Sequence, residues 1–231
     1  MAFMKINNLH TWTLTPTEAV ALQRTLAGKV DTRTPLVRCD LVAGADASYN
    51  RFSPVFYAVV VVLRTSDWTI VEKQEAVCHS AFPYVPGLLS FREAPALLEA
   101  FAKLRTVPDV VMIDGQGIAH PRRIGIASHV GLCLDVPTIG CAKSRLTGVY
   151  KEPRKKRGSL APLRDKEDVI GSIVRTRDGV KPLFVSAGHK IDQASAVRVV
   201  LQSAQGYRIP EPTRQAHIQV NELRRRSNDK N

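Results

Sequence analysis

Apolar and polar positions change period several times along the 231-residue chain, and those changes outline its elements. In "TPTEAVALQRTLAG" the apolar residues recur at helical spacing. Thr15 stands at an N-cap position, with Pro16 at N1 and Glu18 three residues after the cap, so a helix is predicted from Pro16 to about Gly28. Residues 36–49, 55–63 and 69–77 are β-rich and joined by the short polar stretches "NRFSP" and "RTSDW", a spacing that suits an antiparallel meander. The third of these alternates apolar and charged residues, so one of its faces is expected to meet solvent. Helical spacing returns at 91–104 and 122–135, each followed by a short apolar strand, at 109–113 and 136–142. Two further strands, 168–177 and 182–188, precede two closing helices at about 191–205 and 212–226. A meander leading into βαβ units describes an α/β fold with one mixed sheet flanked by helices. No repeat and no long linker divides the chain, so residues 1–231 are expected to form a single catalytic domain, with the last few residues disordered.

Composition narrows the partners. The chain carries 33 Lys+Arg against 21 Asp+Glu, a net charge of +12, which favours a polyanion: nucleic acid or an anionic membrane surface. The longest apolar run, "VFYAVVVVL" (55–63), is far short of the roughly 20 residues of a spanning helix, and "MAFMKINNLHTW" has no apolar signal core. No membrane association is expected. Cys39, Cys78, Cys133 and Cys141 form no CxxC pair and read as small core residues of a reducing compartment, which makes a cytoplasmic location the expectation.

Three acids sit where burial alone would not put them. Asp46 lies inside the strand-like "AGADASY", Glu93 is placed at the opening of the 91–104 helix, and Asp114 ends the strand "DVVMI". Each has a structural reading: Asp114 closes a "DGQG" turn, and Glu93 complements a helix dipole in the first turn. Together, in a basic protein, converging carboxylates call for a cation, and the oxygen preference of Mg²⁺ fits. Lys143 follows the 136–142 strand and reaches the same crevice or snorkels at the surface. His217 lies on the last helix among apolar residues, where a lone histidine is usually a packed or capping residue.

The blocks "PYVPGLLSFRE" (83–93), "DGQGIAHPRRIGIASHVGL" (114–132) and "TIGCAKSRLTG" (138–148) resemble the signature segments of the endonuclease V family. "AGADASY", "SAGHKI" and "PTRQAH" extend the resemblance, in order, from about residue 16 to 224. It implies an RNase H-like fold and an endonuclease that cuts nucleic acid beside inosine, the product of adenine deamination. It also implies that Asp46 and Asp114 bind Mg²⁺, with Mn²⁺ able to substitute, and that Glu93 acts through a water. Lys143 would stabilise the attacked phosphate and His217 would lie beside the metal. The bond cut would be the second phosphodiester 3′ to the lesion, leaving 3′-hydroxyl and 5′-phosphate ends.

By the same resemblance, Pro83, Tyr84, Val85 and Pro86 form a wedge that takes the place of an extruded base, and two prolines do stiffen such a loop. Gly87, Leu89, Gly115, Ile126 and Leu146 would line the base pocket. Gln116, where the family often has His, and "GAD" in place of "GVD" are the departures, and neither removes a metal ligand. His120, Arg122 and Arg123 either hold the cut strand or begin the helix after Pro121. Lys155 and Lys156, in the basic loop 151–157, either track the nucleic-acid backbone or belong to a solvated loop, and Arg224–Arg226 are expected in a frayed tail. The expected partner is inosine-containing DNA or RNA, bound by a monomer. From the residues alone, a nuclease of the same fold without lesion preference and a non-catalytic nucleic-acid-binding module remain alternatives.

Overall fold

The computed structural model describes residues 3–51 and 53–228. Helix α1 (Pro16–Ala27) starts where the sequence places it because Thr15 and Glu18 cap each other: the Thr15 hydroxyl accepts the Glu18 N–H, and Glu18 Oε2 accepts the Thr15 N–H at 2.7 Å. The meander follows as β1 (Leu41–Tyr49), β2 (Val55–Arg64) and β3 (Ile70–His79), antiparallel throughout. Strand β1 begins at Leu41 rather than 36, because the preceding residues are drawn to a later helix: Arg198 Nη2 donates to Leu36 O and Ser195 Oγ accepts the Leu36 N–H.

Next come α2 (Leu89–Ala102), β4 (Val110–Ile113), α3 (Ile126–Leu134) and β5 (Thr138–Ala142), with β1, β4 and β5 mutually parallel. Strands β6 (Leu160–Asp165), β7 (Asp168–Val174) and β8 (Leu183–His189) run antiparallel, and α4 (Gln193–Ser203) and α5 (Glu211–Asn228) follow. All eight strands form one sheet in the order β3-β2-β1-β4-β5-β8-β7-β6. This mixed sheet, a meander continued into parallel strands and flanked by helices, is the RNase H-like arrangement expected.

The pleat sorts the core into two layers. Ala43 and Ala45 of β1, the even-numbered residues of β2 from Phe56 to Val62, and Val111 and Ile113 of β4 bury against α2 and α3. The odd-numbered residues of β2 from Tyr57 to Leu63 bury against Ala216, Val220 and Leu223 of α5, and Val110 and Met112 bury against α4. Helix α5 lies so close to β1 that a Cβ on Gly44 would sit 2.0 Å from Pro212 O. No helix among the described residues is long and apolar enough to cross a membrane.

Four expectations need correction. Helix α2 begins at Leu89, so Glu93 is its fifth residue and not a first-turn acid. Helix α3 begins at Ile126, not 122; Arg123 stands at φ 58, outside helical space, and the chain turns there instead. Strand β6 was not expected, since Pro162 interrupts its pattern, but it occupies the sheet edge, where a proline costs no ladder bond. Arg224 and Arg226 are not in a frayed tail: α5 reaches past them, Arg224 Nη1 donates to Tyr49 O at 3.0 Å, and Arg226 Nη2 pairs with Glu75 Oε1 at 3.0 Å. The disorder expected of the final residues lies outside the described residues.

Candidate active site

The sheet register brings the first two acids together. Ala45 of β1 pairs with Ile113 of β4, so the next residues, Asp46 and Asp114, stand side by side at the carboxyl end of the parallel strands. Helix α5 crosses β1 and brings His217 to the same place, where His217 Nδ1 donates to Asp46 Oδ2 at 2.7 Å. The other Asp46 oxygen accepts the Ala47 N–H at 2.9 Å. Lys143, one residue past β5, donates from Nζ to Asp114 Oδ2. Ligand atoms of Asp46, Asp114 and His217 lie within 4.8 Å of one another. Glu93 arrives from α2, on the opposite layer, and is not part of that tight group among the described residues, although the charges of Asp46 and Asp114 reach it.

The electrostatics are those of a cluster with too much negative charge. Burial pushes the Glu93 carboxyl up to about 8, and the carboxylates of Asp46 and then Asp114 add to the rise, against Arg92. Burial and Asp46 likewise raise Asp114 from its ordinary value, opposed by Lys143 and His217. His217 is raised by its hydrogen bond to Asp46. The Lys143 ammonium and the His217 ring thus offset part of the negative charge of the two aspartates. Carboxylate oxygens and one imidazole at this separation fit a divalent ion, with carboxylates suiting Mg²⁺ or Mn²⁺.

Beside the acids opens a cavity of about 370 Å³. Its lining includes Asp114 and Lys143 and all five residues expected to hold a base: Gly87, Leu89, Gly115, Ile126 and Leu146. Gly115 is required by the fit, since a Cβ there would lie 2.4 Å from Ile126 Cγ2. Of the 83–86 loop, Tyr84 and Pro86 line the cavity and Tyr84 is 66% exposed, whereas Val85 packs against the Phe82–Leu88–Phe91 cluster and Pro83 faces solvent. Gln116 also lines it, and its Nε2 donates to Ser144 O at 2.9 Å.

The five residues expected on the nucleic-acid backbone fall into two groups. His120 is buried, Arg122 contacts Gln23 and Gly87, and Arg123 pairs with Asp165 at 2.8 Å and Asp168 at 3.1 Å, so all three are engaged within the protein. Lys155 and Lys156 are exposed. Because β8, β7 and β6 alternate in direction from β5, the start of β6 lies at the same end of the sheet as the carboxyl end of β5. The basic loop therefore stands at the acids' end, anchored by Arg175, which donates to Arg154 O at 3.1 Å and Pro153 O at 2.9 Å. Gln23 and Ser90, which also line the cavity, escaped the sequence reading: neither stands in a charged or strand-end pattern.

Comparison with known proteins agrees with this geometry. The endonuclease V family model matches residues 24–218. An endonuclease V of Dehalococcoides mccartyi is 51% identical over 95% of this chain and 99% of its own length, and one of Methanothrix thermoacetophila is 47% identical over 93% and 95%. The crystal structure of endonuclease V from Streptomyces avermitilis superposes with a TM-score of 0.90 at 40% identity, covering 98% of this chain and all of that one. Endonuclease V of Ciona intestinalis, solved in complex with DNA containing an inosine followed by a ribo-adenosine, superposes at 0.78 with 27% identity, over 91% of this chain and 98% of its own.

Proposed function

Since the chain belongs to the endonuclease V family of nucleases, we propose that it recognises inosine in a nucleic-acid strand by base flipping and hydrolyses the second phosphodiester bond 3′ to it, leaving 3′-hydroxyl and 5′-phosphate ends. The observation that carries this reading is the cluster of Asp46, Asp114 and His217 opening onto a cavity lined by glycines and aliphatics, with Tyr84 at its rim. A relative crystallised with inosine-containing DNA supports the choice of lesion.

Mg²⁺, or Mn²⁺ in its place, would be held by Asp46 and Asp114, with Glu93 acting through a water, and would supply a Lewis acid and an activated water nucleophile. The protein's own groups do the rest. Lys143 faces the crevice beside Asp114 and offers its ammonium to the charge developing on the phosphate. His217 orients Asp46 through its Nδ1–H and stands where the cut strand passes. Tyr84, held between two prolines, fills the space left by the extruded base, and an inosine pair costs less to open than a normal one. Glycines at 87 and 115 let backbone groups approach the base edge.

The test pairs DNA and RNA oligonucleotides, each with one inosine, with inosine-free controls, with and without Mg²⁺. Cleavage at the second bond 3′ to inosine, dependent on the ion, is expected, and Asp114→Ala should abolish it while binding of the inosine-containing strand persists. Equal cutting of the control strands would favour the nuclease without lesion preference, and wild-type rates from Asp114→Ala would refute the metal assignment.

A further inference from the structure

One backbone carbonyl beside the cavity is gripped by three side chains. Gly87 O accepts from Gln23 Nε2 at 3.0 Å, from His120 Nε2 at 2.9 Å and from Arg122 Nη2 at 2.8 Å. A carbonyl has two lone pairs, so three donors saturate it. Every member of the set is fixed by a second contact. His120 Nδ1 accepts the Arg122 N–H at 3.1 Å, which puts the ring proton on Nε2, facing Gly87. Burial, the largest cause, pushes His120 down to about 4, so the ring is the neutral donor at neutral pH. Gln23 Oε1 accepts from Arg122 Nε at 2.5 Å, and its Nε2 also donates to Ile124 O at 3.3 Å, which settles the orientation of the amide. Gly87 itself has φ +80, and a Cβ there would lie 2.7 Å from Arg122 Nη2.

Gly87 ends the loop that carries Tyr84. At the loop's other end Arg92 Nη1 donates to Phe82 O at 3.2 Å. The loop is thus held at both ends, and the stronger hold is the one nearer the cavity. We propose that Gln23, His120 and Arg122 are positioning residues: their clamp on Gly87 O fixes where Tyr84 stands, and so sets how effectively the protein opens a duplex. This rests on the base-flipping reading. Unstacking and unpairing a nucleotide costs a few kcal/mol, and a wedge meets that cost only if it is ordered beforehand. The clamp also explains why His120 and Arg122 of the "HPRR" segment point inward. A single strand needs no opening, so the contribution the clamp makes through Tyr84 belongs to duplex substrates.

The experiment measures kcat/KM on a single-stranded and a duplex oligonucleotide, each with one deoxyinosine, for wild type, Gln23→Met, Arg122→Lys and Tyr84→Ala. Losing its oriented hydrogen bond to Gly87 O should lower the duplex-to-single-strand ratio roughly tenfold in each clamp variant. Adding Gln23→Met to Tyr84→Ala should lower it no further, since the clamp acts through the tyrosine. Arg122 is partly exposed, so Arg122→Lys keeps the test alive if Gln23→Met folds poorly. Equal losses on both substrates, or a loss that tracks salt as a phosphate contact would, overturn the clamp. If wild type cuts neither oligonucleotide, or Tyr84→Ala leaves the ratio unchanged, the base-flipping reading falls and the clamp with it. If wild type and Tyr84→Ala behave as expected and the clamp variants do not, the clamp alone is wrong.

Discussion

Glu93→Gln should stabilise the ion-free protein above neutral pH, an unusual outcome for a substitution in an active site. The cause is the crowding of carboxylates: burial, then Asp46 and Asp114, push Glu93 from 4.5 up to about 8. In the unfolded chain the same group titrates near 4.3. Because the folded value is the higher one, the folded state binds the extra proton between about pH 4.5 and 8. Glu93 therefore favours folding at low pH, and that contribution is lost as pH rises through the window. At about 1.4 kcal/mol per pKa unit, the loss reaches about 5 kcal/mol by pH 8. Gln has the same shape and no proton to lose, so the variant should escape it. Urea unfolding of both proteins in EDTA, followed at several pH values from 5 to 8.5, reads the difference directly. The gap between variant and wild type should widen with pH, and added Mg²⁺ should narrow it by stabilising the wild type more, since a bound cation replaces the missing proton. Parallel stability curves, with no widening between pH 5 and 8, would refute the reasoning.

Two further outcomes follow from burial elsewhere. Gly44→Ala should cost about 3 kcal/mol or more in a denaturant titration, because the new Cβ would sit 2.0 Å from Pro212 O and push α5 off β1; cleavage should fall with it as His217 leaves Asp46. His129, fully buried and hydrogen-bonded to Ser90 and His10, is pushed down to about 3 by burial first and by His10 second. Its folded value lies below the unfolded one, so stability present above about pH 6.5 should drain away as pH falls toward 3, by up to about 1.4 kcal/mol per unit. A His129→Gln variant with the same acid slope as wild type would contradict this.

How much of this was legible in the sequence depended on whether the signal was local. The start of α1 was readable because Thr15, Pro16 and Glu18 are themselves the cap. The starts of α2 and α3 were misplaced because neither Leu88 nor Gly125, their N-caps, makes a side-chain capping bond; both helices begin where tertiary contacts bend the chain. Strand β6 escaped because an edge strand tolerates both a proline and the exposed residues that blur its alternation. In the site, Asp46 and Asp114 stood out only in combination, as acids of apolar strands in a basic protein, since Asp114 by itself reads as the end of a turn. His217 carried no such mark, since an imidazole on a helix among apolar residues reads as part of the core; only the resemblance singled it out. Gln23 was invisible, because it acts on a glycine 64 residues further along the chain.

The inward-facing arginines bear on how a cluster of acids comes to meet a polyanion at all. Asp46, Glu93 and Asp114 repel phosphate, and the cationic groups beside them are engaged: Lys143 with Asp114, His217 with Asp46, and Arg92 with Phe82 O and the Tyr49 ring. Arg122 and Arg123, the first arginines after Asp114, spend their charge on Gln23, Gly87, Asp165 and Asp168. Attraction must therefore come from further out. The chain's net charge of +12 supplies it, and the sheet's alternation places the exposed Lys155 and Lys156 at the same end as the acids. Under the proposed function, long-range attraction and local chemistry would fall to different residues: the exposed lysines would draw the strand in, and the internally paired set would shape the pocket that reads it. The division follows from the physics of each task, since a diffuse field needs no fixed geometry whereas a wedge and a base pocket need little else.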